Sequence, residues 1–261
     1  MEELLNLEYS TIRSSETPVP LVPILPISIR YSKTKKILSK ILNKLPKLAD
    51  LYNLNTSFYH ISGSKSNYYG QVIYSKMHGI GQEIYNTGLK YYGEFSEGKQ
   101  NGLGYLSIKN TKQWKEYYIG SFIDGRFSGY GEYYCDKNYY KGDWLDDLKH
   151  GFGKEKVGRT YYKGQFLFGS KVGEGKLSGG NGKFKGEFLN DKFVKGKFVE
   201  RAGRFVYSGN WEDGVWNGRG KIKFKTGSPI KSFSGEFIHG RFGAGILRFP
   251  DGKKIVHKLE K

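Results

Sequence analysis

The sequence predicts an all-β protein, an array of about eight antiparallel hairpins with a short helix ahead of them. Three observations predict it. A phrase with an aromatic, any residue, a glycine, any residue and a second aromatic starts at Tyr68, Tyr91, Tyr118, Tyr140, Tyr162, Phe184, Tyr207 and Phe233, every 22–27 residues. Each copy continues through a turn to a Gly-x-Gly or a remnant of one. The 37 Gly, 21 Tyr and 17 Phe are therefore phased rather than scattered.

The copy at 207–220 shows why the phrase makes a hairpin. Alternation puts Tyr207, Gly209 and Trp211 on one face of a strand. Glu212-Asp213-Gly214 is turn chemistry, with Gly214 free to take the positive φ that a tight hairpin needs. Gly218, Gly220, Ile222 and Phe224 share one face of the returning strand, and Lys221, Lys223 and Lys225 face the other way. One hairpin cannot bury such a face alone, so a fixed period implies stacked units. The expected packing is an aromatic of one hairpin filling the slot over the glycine of its neighbour.

In chain order, three regions are expected. Residues 1–31 form a Pro-rich segment: Pro18, Pro20, Pro23 and Pro26 forbid helix and central strand and leave an extended, polyproline-like course. Its acidic start does not read as a secretory signal. Over 32–55, Ile37, Leu38, Ile41, Leu42 and Leu45 recur at helical spacing. Lys33, Lys35, Lys36, Lys40, Lys44 and Lys47 fill much of the rest of that helix, and Pro46 should kink it. An apolar-faced helix suits the cap of a repeat array, and a basic amphipathic helix suits an anionic membrane or a partner. Residues 56–261 are the array, opening near Ser57 with the second strand of a truncated hairpin, Phe58-Tyr-His-Ile61.

Within the array the markers are Tyr91, Gly93 and Phe95; Tyr118, Gly120 and Phe122; Tyr140, Gly142 and Trp144; Tyr162, Gly164 and Phe166. The copy at Tyr68 is worn, with Val72 for the second aromatic and Ser75 for the turn glycine. The copy at Phe184 is expected to break register after Asp191, since Lys195 and Lys197 flank a lone Gly196. The last copy is one residue short, at Gly243-Ala-Gly245. Lys109–Glu116 and Lys225–Lys231 are insertions, expected as longer hairpins or loops.

With 43 basic and 25 acidic residues the chain carries +18, which favours an anionic partner: a membrane surface, a nucleic acid or an acidic protein face. Lysine on exposed strands also keeps a long sheet soluble. One cysteine, Cys135, excludes an internal disulfide and a thiolate-rich zinc site and fits a reducing compartment. No apolar run is long enough to span a bilayer as a helix.

The phrase Tyr-x-Gly-x-(Phe/Trp)-x-x-Gly-x-x-x-Gly-x-Gly, in eight copies over about 57–261, resembles the MORN repeat (membrane occupation and recognition nexus). The resemblance implies an elongated, twisted solenoid of hairpins. It also implies a scaffold at membranes, the cell cortex or the cytoskeleton, often oligomeric, with acidic-phospholipid binding in some relatives. Other arrays of the family are attached to a lipid kinase or a lysine methyltransferase domain. Nothing outside the repeats here has that length, so such a role would make the chain a regulatory subunit.

No catalytic, metal or cofactor site is expected. His60, His78, His150, His239 and His257 are scattered, and Asp146-Asp147 reads as a turn pair. The glycine-rich run from Gly169 to Gly180 lacks the Gly-Lys-Ser/Thr ending, the preceding buried parallel strand and the following helix of a phosphate loop. Nucleic acid is disfavoured as partner, because stacking needs exposed rings and the phased aromatics should be buried. The expected function is a non-enzymatic scaffold for protein partners, cytoplasmic and peripheral to an anionic membrane or the cortex. The candidate contacts are Lys33–Lys47 and Lys221, Lys223 and Lys225; the alternatives are a direct acidic-phospholipid module or the regulatory subunit.

Overall fold

The structure is a computed structural model, described over residues 59–110, 115–225 and 227–258. The Pro-rich segment and the helix expected over 32–55 lie outside the described residues. Everything described is strand, turn or loop: eighteen strands in two compact units, divided after Asp136.

The first unit holds β1 (Tyr59–Ser62), β2 (Ser66–Ile73), β3 (Lys76–Tyr85), β4 (Lys90–Ser96), β5 (Lys99–Asn110), β6 (Lys115–Ile123) and β7 (Arg126–Cys135). Each pairs antiparallel with its chain neighbour. The second unit continues the same way through β8 (Asn138–Leu145), β9 (Leu148–Val157), β10 (Thr160–Leu167), β11 (Ser170–Gly179), β12 (Gly182–Leu189) and β13 (Lys192–Glu200). It ends with β14 (Phe205–Glu212), β15 (Val215–Phe224), β16 (Ser232–Ile238), β17 (Arg241–Arg248) and β18 (Lys254–His257). β1 is the lone strand expected before the first full repeat. β18, which adds to the last hairpin, has no repeat marker and was not foreseen.

All eight hairpins close through two residues that both have positive φ, as Asp124 (51°) and Gly125 (85°) do. This is the turn whose twist matches that of the flanking strands. Asp146 and Asp147, at 47° and 65°, form one of these turns, as the sequence suggested. Tyr74 and Ser75 show that the worn first repeat keeps the geometry without the glycine. Successive hairpins are also joined at their turns. The amides of Gly98, Gly125, Gly169 and Gly240 donate to Met77, Gln100, Lys149 and Trp216 of the preceding hairpin. Lys76–Glu97 and Lys192–Asp213 pair at 2.7 Å beside them. Turn acids thus serve the stack as well as the turn.

The core of each unit is a row of glycines with rings laid over it. Gly70, Gly81, Gly93, Gly104, Gly120 and Gly131 pair in register across β2–β7. In the second unit the row runs from Gly142 on β8 to Gly245 on β17 without a gap. The slot over each glycine pair is filled by the hairpin's own first aromatic, not by the neighbour's. A Cβ on Gly153 would lie 2.5 Å from Cε2 of Tyr140, which belongs to the same hairpin. The tyrosine is two residues before the glycine on the same face, so its ring reaches over the pair. Its hydroxyl then donates to the carbonyl three residues on, as Tyr91 does to Glu94 (3.0 Å) and Tyr207 to Asn210 (2.8 Å).

Contact between hairpins comes from the second aromatic. Phe122 meets Tyr91 edge-on at 5.0 Å and its own Tyr118 at 5.1 Å, and Phe188 meets Tyr162 and Phe184 at 5.1 Å. Edge-to-face rings at this separation add specific attraction to the apolar burial. Burial pushes the phenols of Tyr162 and Tyr207 up to about 12, and those of Tyr68 and Tyr91 well above the ordinary range. A raised pKa contributes stability fully present below pH about 10 and lost as the pH rises through the folded value. The expected titration at 295 nm has two phases, the later coinciding with loss of the β-sheet circular dichroism signal near pH 12. Ionisation of every tyrosine near pH 10 with the sheet intact would contradict the buried rings.

The copy at Phe184 does not lose register. Gly186 pairs with Gly196, and the hairpin differs only in carrying one extra residue on its return strand, between Phe193 and Lys195. Six hairpins carry two extra residues there. The last hairpin, where Phe237 pairs with Phe242 and Gly235 with Gly245, shares the shorter form. The insertion at 109–116 lengthens the β5–β6 pair, with Lys109 opposite Glu116, and of the second insertion the described residues Lys225 and 227–231 lie outside any strand.

Candidate functional site

Two positions of the repeat that the sequence reading did not single out decide the chemistry of the sheet. The first lies between the glycine and the second aromatic, occupied by Gln71, Glu94, Ser121, Asp143, Gln165, Glu187, Asn210 and Glu236. Where the return strand bulges, these side chains accept its unpaired amides. Ile80 N–H donates to Gln71 at 2.8 Å, Leu103 to Glu94 at 3.1 Å and Phe152 to Asp143 at 3.0 Å. The polar residue therefore belongs to the hairpin, and the uniform polarity of that position was the signal for it.

The second position is the second residue after the turn, on the aromatic face. It holds Phe127, Phe193, Trp216 and Phe242, each stacked on the first ring of its hairpin: Tyr118 at 3.7 Å, Phe184 at 4.0 Å, Tyr207 at 4.8 Å and Phe233 at 4.4 Å. Two hairpins put lysine there instead. Lys149 lies over Tyr140 at 5.5 Å and Lys171 over Tyr162 at 5.4 Å, and both bind Glu155, Lys171 at 2.9 Å. Lys171 also reaches Asp191 at 3.2 Å. Glu155 stands where Leu106, Leu177 and Ile222 stand in other repeats.

Burial works to raise the Glu155 carboxyl, and the two lysines overcome it and hold the pKa below its ordinary value. Such a group contributes stability present above pH about 4.3, lost as the pH falls through the lowered value. Glu155→Gln removes the carboxylate partner of Lys149 and leaves Lys171 with Asp191 alone, and is expected to cost about 2 kcal/mol at pH 7. The difference from wild type should close below pH 4, and urea unfolding at the two pH values checks it. A second buried carboxylate, Glu83, is 2% exposed and accepts from Ser66 (2.7 Å) and Tyr85 (2.6 Å), with Gln100 at 3.4 Å. Both clusters are internally satisfied, which makes them parts of the core.

Further along the aromatic face of the second unit, Leu177, Phe193, Phe198, Trp211 and Trp216 line an open groove of about 530 Å³. His78, His150 and Trp211 each have a buried ring nitrogen without a hydrogen-bond partner. Cys135 is half-buried beside Tyr133. Among the described residues no three His, Cys, Asp or Glu side chains come together as a metal site would need.

The opposite face carries the charge. Lys221, Lys223 and Lys225 are exposed on it, as alternation required. Their neighbours show what the sequence reading missed. The residue after the first aromatic and the residue after the second glycine of Gly-x-Gly fall in one cross-strand row. In the second unit that row reads Lys141, Lys154, Lys163, Lys176, Lys185 and Lys197 on β8–β13, then Ser208 and Lys221. The recurring Tyr/Phe-Lys-Gly and Gly-Lys were the signal. In the first unit the same position reads His60, Tyr69, Gln82, Tyr92, Tyr105, Ile119 and Glu132. His60 stacks on Tyr69 at 4.4 Å, and Tyr105 and Tyr117 lie 5.7 Å apart. Lys33–Lys47 lie outside the described residues.

These features define the class: a protein built of stacked antiparallel hairpins on a shared glycine row. Comparison with protein families finds the MORN repeat at residues 68–90, 91–110, 118–138, 140–156, 162–183, 207–228 and 233–254. The chain belongs to the MORN-repeat family. The hairpin from Phe184 falls between two matched repeats, and it is one of the two with the shorter bulge. No curated protein matches the sequence. Among the described residues no helix is long and apolar enough to cross a membrane.

Proposed function

We propose that the chain is a non-enzymatic scaffold or adaptor that offers a stacked-hairpin surface to protein partners at an anionic membrane or the cell cortex. One observation carries the reading. In the second unit the hairpins spend most of their aromatic side chains on one another across the glycine row, and the opposite face of β8–β13 carries a lysine row in regular register. A surface of that kind recognises by charge and spacing and needs no movement to do so. Chemical crosslinking of the tagged full chain in its native cell tests it. Crosslinks from outer-face lysines such as Lys163 and Lys176 to another protein are the expected result, and crosslinks confined to the chain itself would refute it.

Direct binding of acidic phospholipid is the second reading, favoured by the exposed run Lys221, Lys223 and Lys225 on one face of β15 and the loop after it. Each lysine near an anionic surface contributes about 1 kcal/mol. Co-sedimentation with phosphatidylserine vesicles, lost in a Lys221→Gln/Lys223→Gln/Lys225→Gln variant, is the expected result of that reading. Undiminished sedimentation would move the contact elsewhere.

A further inference from the structure

The six lysines on β8–β13 stand directly opposite one another on successive strands. With strands about 4.8 Å apart, their row runs roughly 24 Å. All but Lys141 are exposed. Among the described residues, none of Lys154, Lys163, Lys176, Lys185 and Lys197 forms an ion pair, although Lys171 and Lys192 at the turns do. Like charges facing each other across a ladder destabilise it, and lysine is a poor strand former. Solubility requires charge but not five adjacent repulsive pairs. An anion laid along the row removes the repulsion.

The shape of that anion follows from the flanking rows. On one side run Phe152, Gln165, Glu174, Glu187 and Lys195, with Glu174 and Lys195 opposite Glu187. On the other run Tyr139, Lys156, Tyr161, Ser178 and Lys183. The continuous lysine row is one residue wide; Glu174 and Glu187 border it on one side, and Lys156, Lys183 and Lys195 stand singly in the flanking rows. A flat lipid surface would meet Glu174 and Glu187 together with the lysines, whereas a single chain lying along the row meets lysines alone. A nucleic-acid strand needs rings for its bases, but Lys141 and Lys156 already sit over Tyr139 and Tyr161, at 5.4 and 5.6 Å. Phe152 is the ring left open.

We propose that this lysine row is the docking site for an acidic polypeptide segment, a run of Asp and Glu lying extended across the strands of β8–β13. The inference rests on the scaffold reading and names the partner's chemistry. About seven extended residues cover the row. Contact is through side chains only, since β9 to β13 are each already paired on both sides.

The test measures fluorescence anisotropy of labelled decaglutamate with the full chain at low and moderate salt. A ten-residue oligothymidylate and phosphatidylserine vesicles are run in parallel. Two variants carry the same charge change: Lys163→Gln/Lys176→Gln/Lys185→Gln/Lys197→Gln in the row, and Lys90→Gln/Lys115→Gln/Lys253→Gln/Lys254→Gln away from it. Decaglutamate should bind, weaken with salt, and lose affinity on the order of tenfold in the row variant and little in the other. The row variant should melt no lower than wild type at low salt, because it relieves repulsion; this separates lost binding from lost folding. Equal loss in both variants, preference for oligothymidylate or vesicles, or no decaglutamate binding would each overturn the proposal. If crosslinking still joins other outer-face positions to a protein, the scaffold reading survives that failure; absence of any protein crosslink sinks both.

Discussion

Gly186→Ala is expected to lower stability by about 3 kcal/mol or more, read as a fall in the urea midpoint. The added methyl would fall within contact of the Lys195 carbonyl oxygen and 2.5 Å from Cα of Gly196, the residue across the strand. Both obstacles are backbone, so no rotamer change relieves them, and β12 and β13 must part locally. Gly214→Ala is the matched control. Nothing lies within 4 Å of its Cβ, and its φ of +82° makes the cost conformational alone, about 1 kcal/mol. A Gly186→Ala protein as stable as Gly214→Ala would mean that the strands do not meet at the glycine row.

Phe188→Ala carries the second large effect, about 3–5 kcal/mol. The ring is 1% exposed and lies against Tyr162 of the preceding hairpin, Phe184 of its own and Phe193 of the return strand. Removing it leaves a hole that the surrounding rings, Tyr162 and Phe184 held over glycines and Phe193 stacked on Phe184, cannot collapse to fill. Phe152→Ala, at a ring 67% exposed on the other face, should stay within about 0.5 kcal/mol of wild type. The pair of substitutions reads out which face is the core, and a reversed order would invert it.

The face assignment was legible from the sequence because alternation and period act together. Once Tyr207, Gly209 and Trp211 share a face, the lysines of β15 have nowhere else to go. The partner of each ring was not legible. Tyr140 covering its own glycines rather than its neighbour's depends on the reach of a side chain along the sheet, which spacing does not encode. The register at Phe184 was misjudged because glycine count stood in for pairing. One bulge residue fewer lets Gly196 meet Gly186 with Val194 and Lys195 between it and Phe193. The lysine row was hidden for a related reason: Lys154 and Lys163 are neighbours only after two strands are aligned, and each alone resembles an ordinary exposed lysine.

The unbroken glycine register has a consequence for chain length. Gly153 meets Gly164 between two hairpins just as Gly175 meets Gly186 between the next two. Within the second unit every junction therefore repeats the same backbone register, so a hairpin can be excised or duplicated with that register kept, while side-chain pairs such as Lys171 with Glu155 and Asp191 mark the particular junction. In arrays whose units touch only their neighbours, stability adds approximately unit by unit. Copy number becomes an adjustable gauge: each added hairpin extends a cross-strand row by two positions, so the distance over which the surface can grip a ligand is written in multiples of one repeat.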